Sequence, residues 1–469
     1  MNLYNTASRT TEDFKPGSPP KVSFYSCGPT VYDYAHIGHM RTYINNDALK
    51  RALTYLGYDV NHVMNITDVG HLTGDDDEGE DKLEKGAAKS GMSVWDVVKL
   101  YTDNFNQTME AVNVLKPTHT TPATEHIPQM IKLITELQEK GFTYETREAL
   151  YFDVSKFKNY GLLSGQKLED KIQQARDEVY IDKDKKNQAD FALWFKRVGR
   201  FETHTMHWES PWGDGFPGWH IECSAMAMEY LGDTIDIHSG GIDHIPVHHE
   251  NEIAQSEAAT GKPFVRYWFH NAFLMVDSTK MSKSLGNFYT LEDIKKKNID
   301  PLAIRLLFLQ SHYRQTMNFT WEAAEAAQTS LGRLRDQVRA LRAQTARPEL
   351  SPEKLAQLET FQTEFRTALE NDLNMPQAIA VMWSVLKSNI PSQDKLDFVF
   401  DMDQVFGLSL MSVKEEKTEV PEEITKRAIA RETARKEKNF KESDRLRKEI
   451  EEKGYILKDT PGGFELKKN

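Results

Sequence analysis

Cysteine is almost absent from this 469-residue sequence, which contains only two, Cys27 and Cys223. Two distant thiols do not form the framework of bridges that is typical of small secreted proteins. Long apolar runs are also absent, since no stretch approaches the roughly 20 residues that cross a bilayer. The first residues lack the basic and apolar regions of a secretory signal, and the sequence therefore predicts a cytoplasmic protein.

The sequence also lacks an excess of positive charge. Lys and Arg number 59 against 71 Asp and Glu, which gives a formal net charge of −12. This balance argues against non-specific nucleic-acid binding over the whole surface, but it leaves room for a local basic face. No internal repeat or low-complexity tract occurs, and the length accommodates two to four domains.

Residues 21–66 have the pattern of a strand, a glycine turn, a helix and a second strand. Gly57 suits the C-terminal cap of that helix. Strand patterns that fit a parallel sheet return at 234–238 and again at 267–276. The alternation predicts an α/β fold built on a Rossmann-like, doubly wound parallel sheet.

Other patterns divide the remaining chain. Asp300-Pro301 predicts the start of a helix, and amphipathic helical periodicity follows from Trp321 onward. A charged segment at 414–419 predicts a linker, and the acidic segment 75–81 predicts a solvated loop. The predicted parts are the two halves of the sheet domain at 1–114 and 211–320, a connective insertion at 115–210, a helical bundle at 321–412 and a small C-terminal α+β domain at 420–469.

Both cysteines lie near other candidate metal ligands. Cys27 follows an apolar run, and Cys223 ends the segment Gly-Trp-His-Ile-Glu-Cys. His248 and Glu252 stand at i and i+4, on one face of a predicted helix. Two thiolates, one imidazole and one carboxylate complete the coordination shell of a tetrahedral zinc. By number of ligands alone, a purely structural zinc is the more frequent role of such a set.

The tetrapeptide His36-Ile37-Gly38-His39 lies between a predicted strand and a predicted helix. In a doubly wound sheet this is the edge where ligands bind, and the helix N-terminus offers N–H groups to phosphate. Gly38 lets a flat ring approach, and the two histidines can donate hydrogen bonds to phosphate oxygens. Two ordinary surface histidines at a helix start would give the same four letters.

A second motif, Lys280-Met281-Ser282-Lys283-Ser284, follows an apolar run. Two lysines at i and i+3 in a serine-rich loop can clamp a triphosphate and follow its charge toward pyrophosphate. A basic loop by itself is more often a solvated turn. Both motifs in this order, about 240 residues apart, together indicate ATP chemistry beside the candidate metal site.

These two motifs resemble the HIGH and KMSKS signatures of the class I aminoacyl-tRNA synthetases, and the sequence most closely resembles the cysteinyl-tRNA synthetase family. The likeness runs over nearly the whole chain. Two departures, Ser239 in place of Gly and Val247 in place of Pro, neither add nor remove a ligand. The segments that carry the resemblance are residues 27–33, 65–68, 218–223, 238–243, 248–252, 443–445 and 459–461.

The resemblance implies a monomeric, cytosolic ligase that joins L-cysteine to its tRNA through a cysteinyl-adenylate, using ATP with Mg²⁺ and one Zn²⁺ per chain. It implies that zinc is held by Cys27, Cys223, His248 and Glu252. It implies that cysteine is bound by Cys27, Gly28, Thr67, Trp219 and His238. It implies that ATP is bound by His36, Gly38, His39, Gly241, Asp243, Lys280, Met281, Ser282, Lys283 and Ser284, with His36, His39, Lys280 and Lys283 as catalytic residues.

The segment 425–458 is net positive within this acidic chain, with twelve Lys or Arg against seven Asp or Glu. Neutralisation of phosphates by such a segment would give salt-dependent RNA affinity, whereas a solvated helix with i,i+4 ion pairs is the alternative interpretation. In the resembled family this region reads the anticodon. The candidate tRNA-binding residues are Lys426, Arg427, Arg431, Arg435, Lys436 and Lys438.

Two other functions stay open on sequence grounds. A ligase that joins cysteine to a small amino sugar, as in mycothiol synthesis, would share the same catalytic half, but the basic C-terminal segment argues against it. A non-catalytic RNA-binding paralogue would keep the fold, but the intact histidines and lysines of both motifs argue against that.

Overall fold

The computed structural model describes residues 1–69, 72, 81–166, 182–282, 285–414, 421–460 and 463–468. Its strands are β1 Asn2–Asn5, β2 Thr10–Asp13, β3 Lys21–Ser26, β4 Asp59–Ile66, β5 His119–Pro122, β6 Thr143–Glu145, β7 Ala149–Phe152, β8 Phe191–Lys196, β9 Gly215–Pro217, β10 Ile235–Gly241, β11 Val265–Asn271, β12 Leu274–Val276, β13 Thr279–Lys280, β14 Met317–Phe319, β15 Tyr455–Thr460 and β16 Gly463–Lys468.

The α-helices in the described residues are α1 Ile37–Tyr55, α2 Lys82–Ser90, α3 Val94–Ala111, α4 Ile127–Glu139, α5 Trp219–Leu231, α6 Glu250–Thr260, α7 Leu291–Lys296, α8 Pro301–Leu309, α9 Trp321–Arg342, α10 Pro352–Glu370, α11 Met375–Lys387, α12 Ser392–Phe406, α13 Glu422–Lys436 and α14 Phe440–Glu452. None of these helices combines the length and apolar character that a membrane crossing requires.

A five-stranded parallel sheet, in the order β11-β10-β3-β4-β5, forms the centre of the fold. The strands β3 and β4 flank α1, so the predicted βαβ unit and the predicted α/β class are confirmed. The chain builds outward from β3 in one direction through β4 and β5, and in the other through β10 and β11. The order therefore reverses between β3 and β10, which places a ligand-binding crevice at their carboxyl ends.

The strand pattern predicted over 267–276 is divided between two strands in the structure. The structure ends β11 at Asn271 and starts β12 at Leu274, in a separate three-stranded sheet with the order β13-β12-β14. The carbonyls of Ala272 and Phe273 each accept a hydrogen bond of 2.7 Å from a guanidinium nitrogen of Arg41. Because those carbonyls bond a side chain instead of a neighbouring strand, the ladder is interrupted there.

The chain between β5 and α5 forms an antiparallel sheet in the order β6-β7-β8-β9, in which β9 lies beyond the predicted end of the insertion at residue 210. Its buried aromatic side chains join the core that also surrounds Cys27 and Cys223. Further along the chain, Asp300 caps α8 through the N–H of Leu302, as the sequence predicts. The helices α9–α12 follow, and Leu331, Leu334, Val338 and Leu341, on the predicted apolar stripe of α9, are all buried.

The chain forms two compact units, Met1–Met411 and Ser412–Asn469. In the second unit α13 and α14 cover the antiparallel pair β15–β16 around a core that includes Ile424, Ile450 and Leu457. The finer division into five parts stays a prediction. Residues 415–419 of the predicted linker and 75–80 of the predicted acidic loop lie outside the described residues.

Candidate active site

The parallel sheet brings the candidate residues to one edge. Cys27 follows β3, Thr67 follows β4, and His238 lies in β10. The N–H of Cys27 donates to the carbonyl of Ser239 at 2.9 Å, so β3 and β10 stay paired up to the crevice. The side chains at this edge therefore converge on the point where the order of the sheet reverses.

Four candidate metal ligands meet in the crevice. One donor atom from each of Cys27, Cys223, His248 and Glu252 lies within 4.8 Å of the other three, and all four residues are buried. The Nε2 atom of His248 is 2.9 Å from Oε1 of Glu252, and Sγ of Cys27 is 4.0 Å from the same oxygen. Two sulfur atoms, one nitrogen and one oxygen at this spacing fit the donor set that zinc prefers. This buried cluster can therefore hold a metal ion.

The segment that carries His248 is not the regular α-helix that the sequence predicts. Ile245–His249 forms a single π-helical turn, and the α-helix α6 begins only at Glu250. π-Turns are rare and occur often at functional sites. His248 still reaches Glu252, and the Nε2 atom of the adjacent His249 lies 3.4 Å from Sγ of Cys27. Both neighbouring histidines therefore face the cluster.

A second ligand set overlaps the first, and sequence reasoning missed it. Donor atoms of Cys27, His238, His249 and Glu252 also lie within 4.8 Å of one another. The Nε2 atom of His238 is 2.8 Å from Oε2 of Glu252. A usable signal was present, since His249 stands three residues before Glu252 and directly after His248. The two sets share Cys27 and Glu252, so they form one centre.

Further histidines orient these ligands from behind. Nδ1 of His248 lies 2.9 Å from Nδ1 of His220, and Nδ1 of His249 lies 2.8 Å from Nε2 of His270. Hydrogen bonds to one ring nitrogen fix the orientation of the ring and leave the other nitrogen toward the centre. His270 is far in sequence from the candidate metal ligands and stands at no motif spacing from them, so the sequence does not predict its contact with His249.

The electrostatics of the centre favour a cation. Burial by itself lowers the pKa of His248, but Glu252 and Cys223 outweigh burial and raise it to about 10. Burial by itself raises the pKa of Glu252, but His238 and His248 reverse this and lower it to about 2. A hydrogen bond from Cys27 lowers the pKa of the Cys223 thiol. Positive charge on His248 thus stabilises negative charge on Cys223 and Glu252, and a divalent cation bound there would take the place of the His248 proton.

The tetrapeptide His36-Ile37-Gly38-His39, called here the first nucleotide motif, lies at the start of α1. His36 is the N-cap residue, and its Nδ1 accepts hydrogen bonds from the N–H groups of Gly38 at 3.1 Å and His39 at 3.3 Å. The rings of His36 and His39 stack with their centroids 3.7 Å apart. The sequence analysis expected the N–H groups at the start of this helix to bind phosphate, but in the structure two of them already donate hydrogen bonds to the His36 side chain. Burial lowers the pKa of His39 to about 4, so its imidazole is neutral near pH 7.

The second nucleotide motif, which is the segment from Lys280 to Ser284, lies against the first at Met281. The N–H of Ile37 donates to the carbonyl of Tyr289 at 2.9 Å. A side-chain carbon built on Gly38 would lie only 3.0 Å from the terminal methyl of Met281. Lys280 is exposed at the end of β13 and leads directly to Met281.

The rest of the second motif is only partly described. The N–H of Ser282 donates to the side chain of Asn287 at 2.7 Å, which fixes the start of the loop. Lys283 and Ser284 lie outside the described residues.

Gly241 ends β10 and lies close to Asp243. A side-chain carbon on Gly241 would lie 2.2 Å from Oδ1 of Asp243. The glycine thus makes room for this carboxylate, whereas the sequence argument assigned the space to a ligand. Asp243 also acts on the pKa of His39, which it raises against the larger effect of burial. Asp243 also contributes to raising the pKa of Cys27, so its carboxylate lies near both the first motif and the metal cluster.

The residues implied in cysteine binding line the space around the metal cluster. The N–H of Gly28 donates to Oδ1 of Asn65 at 2.6 Å, and Nδ2 of Asn65 donates to the hydroxyl of Thr67 at 3.0 Å. Trp219 begins α5 and stacks on the ring of His248 with the centroids 4.2 Å apart. Asn65 was not among the predicted site residues, although it orients two of them.

His238 contacts both an aromatic side chain and a candidate metal ligand. Its ring stacks on Trp268 with the centroids 4.7 Å apart, and its Nε2 bonds Glu252. Of the two departures from the family pattern, Ser239 donates to Oδ1 of Asn46 at 2.7 Å, and Val247 lies in the π-turn. Ser239 therefore ties β10 to α1 at the level of the site.

The candidate tRNA-binding residues lie on and just after α13 in the second unit, and most of them are paired. Arg431 is buried, and both of its terminal nitrogens donate to the carboxylate of Asp459. The remaining members lie on exposed positions or at the partly exposed Arg427. The ion pairs that they form are Lys426–Glu422 at 2.8 Å, Arg427–Glu423 at 2.8 Å, Arg435–Asp459 at 2.7 Å and Lys436–Glu432 at 2.9 Å.

Comparison with known proteins first defines the class. Residues 13–329 match the family described as tRNA synthetases class I (C) catalytic domain. A methionyl-tRNA synthetase of Mycobacterium tuberculosis in complex with methionyl-adenylate has a TM-score of 0.58 at 16% identity, over 84% of this chain and 92% of that chain. A leucyl enzyme of Agrobacterium radiobacter K84 gives 0.58 at 14% identity, over 86% and 85%. These structures share the fold, and the chain is a class I tRNA synthetase.

Comparison with curated proteins then defines the family. A cysteine–tRNA ligase of Treponema denticola is 43% identical over 100% of this chain and 99% of its own length. Cysteine–tRNA ligase 1 of Burkholderia lata is 44% identical over 99% of this chain and 96% of its own. A Chlamydia muridarum cysteine–tRNA ligase is 42% identical over 99% of both. This chain belongs to the cysteine–tRNA ligase family.

Proposed function

We propose that this chain catalyses the ATP-dependent ligation of L-cysteine to its tRNA through a cysteinyl-adenylate. The observation that carries the proposal is the buried cluster of two thiols, an imidazole and a carboxylate beside both nucleotide motifs, in a member of the cysteine–tRNA ligase family. ATP with Mg²⁺ and cysteine react to give the adenylate and pyrophosphate. A hydroxyl of the terminal ribose of the tRNA then takes the acyl group and AMP leaves, so no covalent enzyme intermediate is needed.

We assign zinc to the cluster, with Cys27, Cys223, His248 and Glu252 as its ligands. When bound, zinc lowers the pKa of a substrate thiol and accepts the thiolate as a further, soft ligand. The hydroxyl of serine is a poor ligand, whereas a pocket without the metal separates such near-isosteres by only ~1–3 kcal/mol. Trp219, stacked on His248, then forms a wall of the cysteine pocket.

The chain itself holds the remaining parts of cysteine. Gly28 follows the ligand Cys27 directly and keeps the backbone close to Asn65. The hydroxyl of Thr67, oriented by Asn65, is placed to receive the substrate amino group. His238 holds Glu252 in position through its 2.8 Å contact, so it acts on the substrate through the ligand.

We assign the phosphates to the place where the two motifs meet. His39 is neutral near pH 7, and a neutral imidazole N–H can donate to a phosphate oxygen as charge builds in the transition state. His36 fixes the start of α1, and Gly38 leaves room for the adenine ring. Asp243 accepts from the ribose hydroxyls, and Gly241 gives the carboxylate its space. The residues assigned to the triphosphate from the second motif are Lys280, Met281, Ser282, Lys283 and Ser284.

We assign tRNA binding to the exposed basic residues of the second unit. The burial of Arg431 against Asp459 gives that residue a packing role instead. Exposed ion pairs contribute only about 0–1 kcal/mol, so tRNA phosphates can replace their carboxylates. The residues that keep this assignment are Lys426, Arg427, Arg435, Lys436 and Lys438.

The two alternative functions are not favoured. Cysteine–tRNA ligases match 99–100% of this chain, and this length includes the second unit. An amino-sugar ligase would have no use for a basic unit of this kind. A non-catalytic paralogue would not need two intact nucleotide motifs beside a buried metal-binding cluster.

Cysteine-dependent exchange of pyrophosphate into ATP tests the activation step, and metal analysis tests the zinc. Wild-type protein should contain one zinc per chain and should exchange with cysteine far faster than with serine. Cys223→Ser should lose the metal and weaken cysteine binding far more than ATP binding. Ser224→Ala is the control, since Ser224 is the buried neighbour on α5 whose hydroxyl bonds Gln255, Ser256 and the main-chain carbonyl of Glu252 but no donor atom of the cluster.

Two outcomes would contradict the proposal in different ways. Wild-type protein that contains zinc but shows no cysteine-dependent exchange would contradict the function. Equal losses of cysteine and ATP affinity in Cys223→Ser would show that the metal is purely structural. Addition of tRNA should then allow charging, and charging should fall as the salt concentration rises.

A further inference from the structure

Arg41 on α1 is a buried charge without a carboxylate partner among the described residues. The residue is 1% exposed. Its guanidinium donates to the main-chain carbonyls of Ala272 and Phe273 at 2.7 Å each, to that of His312 at 3.5 Å, and to that of Gln315. Burial lowers the pKa of Arg41 to about 10, which expresses the cost of keeping this charge out of water.

The four carbonyls belong to two segments, and both segments lead into the same small sheet. Ala272 and Phe273 come directly before β12, while His312 and Gln315 come just before β14. The strands β12 and β14 pair in parallel, and β13 pairs with the other edge of β12. One guanidinium therefore fastens the starts of two of the three strands to helix α1.

The third strand of that sheet carries the second nucleotide motif. Lys280 ends β13, and its strand partner is Met275 in the middle of β12. Arg41 itself lies only two residues after His39 in the first motif. The fixed connection from α1 through Arg41 to β12 and then to β13 is thus a short covalent and hydrogen-bonded path between the two motifs.

A guanidinium is suited to this task for a geometric reason. Its planar fork presents donors in fixed directions, so it can hold carbonyls from two segments at once, whereas an ammonium is a point charge on a flexible stem. An apolar side chain would fill the same volume at lower cost in desolvation but would hold neither segment. A charged side chain at position 41 is therefore explained by its hold on the two segments and not by the volume that it fills.

We propose that Arg41 is a positioning residue for amino-acid activation, which holds the β13-β12-β14 sheet against α1 and thereby sets the spacing between the two nucleotide motifs. The proposal rests on the assignment of those motifs to ATP, made above. Arg41 touches carbonyls and not the substrates, so it acts on the reaction through the position of Lys280 and the residues that follow. A shift of about 1 Å between reacting groups can lower a rate about 100-fold.

The test compares Arg41→Lys with Arg305→Lys in the full-length enzyme. Arg305 is the control because it is equally buried and also donates to main-chain carbonyls, those of Phe406, Val112 and Asn113. Unlike Arg41 it has a carboxylate partner, Asp47, and it holds helices and not the small sheet. Single-turnover formation of cysteinyl-adenylate, cysteine affinity and the thermal midpoint are measured for both variants.

Arg41→Lys should slow adenylate formation at least about tenfold and leave cysteine affinity within about twofold of wild type. Transfer from preformed cysteinyl-adenylate to tRNA should change far less than activation. Arg305→Lys should lower the thermal midpoint but keep the activation rate within about twofold. An unchanged activation rate in Arg41→Lys, or an equal slowing in Arg305→Lys, would overturn the proposal.

Arg41→Ala with added guanidinium ion is the second measurement, in case the lysine variant folds poorly. Recovery of activation with millimolar guanidinium, but not with the same concentration of sodium, is expected, because the free ion can bridge the same carbonyls. A folded Arg41→Ala variant that does not recover would count against the proposal. Wild-type protein without any cysteine-dependent exchange would instead point to a wrong function.

Discussion

Gly28→Ala is the substitution whose effect on the site follows most directly from the geometry. A side-chain carbon on Gly28 would lie 1.5 Å from the carbonyl oxygen of Asn65, while real contacts of this kind essentially never fall below 3.0 Å. The backbone after β3 must therefore move away from β4 by about 1.5 Å, the difference between 3.0 and 1.5 Å. Overpacking of this kind costs about 1–3 kcal/mol of stability.

This displacement would move side chains of the candidate cysteine-binding site. Cys27 precedes Gly28 directly, and Asn65 orients the hydroxyl of Thr67, so the thiol and the hydroxyl would move relative to each other. A misplacement of about 1 Å can lower a rate about 100-fold, and we therefore expect Gly28→Ala to lower cysteine-dependent pyrophosphate exchange at least about 100-fold. ATP binding should change much less, because both nucleotide motifs lie elsewhere in the crevice.

The assay is pyrophosphate exchange over a range of cysteine concentrations, together with metal analysis and thermal unfolding. Gly332→Ala is the control, since Gly332 lies inside α9 with no atom within 4 Å of the added carbon. That change should stabilise the protein by about 0.5–1 kcal/mol and leave exchange unchanged. A Gly28→Ala enzyme with wild-type exchange and full metal content would refute the steric reasoning.

Three further predictions follow from buried charge, surface charge and the metal. Asp47→Asn should destabilise the protein by about 3–5 kcal/mol in urea unfolding, because Arg305 then stays buried without its counter-charge. Burial by itself raises the pKa of Asp47, but Arg305 and Arg51 bring it below 3.8. The stabilisation from this ion pair is therefore present above about pH 4 and should be lost as the pH falls. The free energy of unfolding of Asp47→Asn should accordingly depend less on pH in the acid range than that of wild type. Reversal of charge at Lys436 and Lys438 together should reduce the salt dependence of tRNA binding measured by titration, with exchange unaffected; an unchanged salt slope would contradict the assignment. Removal of the metal by a chelator should abolish exchange with cysteine, and added zinc should restore it; full activity in metal-free protein would contradict the zinc assignment.

The sequence predicts the parallel sheet well because the sheet depends on local patterns, and it also picks out the four candidate residues whose donor atoms meet in the crevice. Alternating strand and helix patterns around α1 predict a parallel sheet, and the rarity of cysteine makes Cys27 and Cys223 conspicuous. The i,i+4 spacing of His248 and Glu252 likewise survives in the contact between them, although the intervening backbone is a π-turn. Nothing in the residue pattern distinguishes that turn from the first turn of α6.

The interactions that sequence reasoning could not predict are long-range. Arg41 interrupts the expected strand at 272–273 through contacts more than 230 residues away in sequence. The pairing of Arg431 with Asp459 turns a predicted tRNA ligand into a packing residue, and only the folded hairpin β15–β16 brings the two together. A local charge count cannot separate a buried arginine from an exposed one.

Helix α1 connects the parts of the site that sequence motifs present as separate. At its start Gly38 lies against Met281 of the second motif, and one turn later Arg41 holds the sheet that carries this motif. The hydroxyl of Tyr43 donates to the carbonyl of Cys27 at 3.1 Å, and Asn46 accepts from Ser239 beside β3. Because the first nucleotide motif, the β13-β12-β14 sheet and Cys27 are all tied to α1, this one helix sets the spacing between the candidate metal cluster and the two motifs. Preorganisation of this kind is what permits a reaction between two bound substrates without further ordering of the protein.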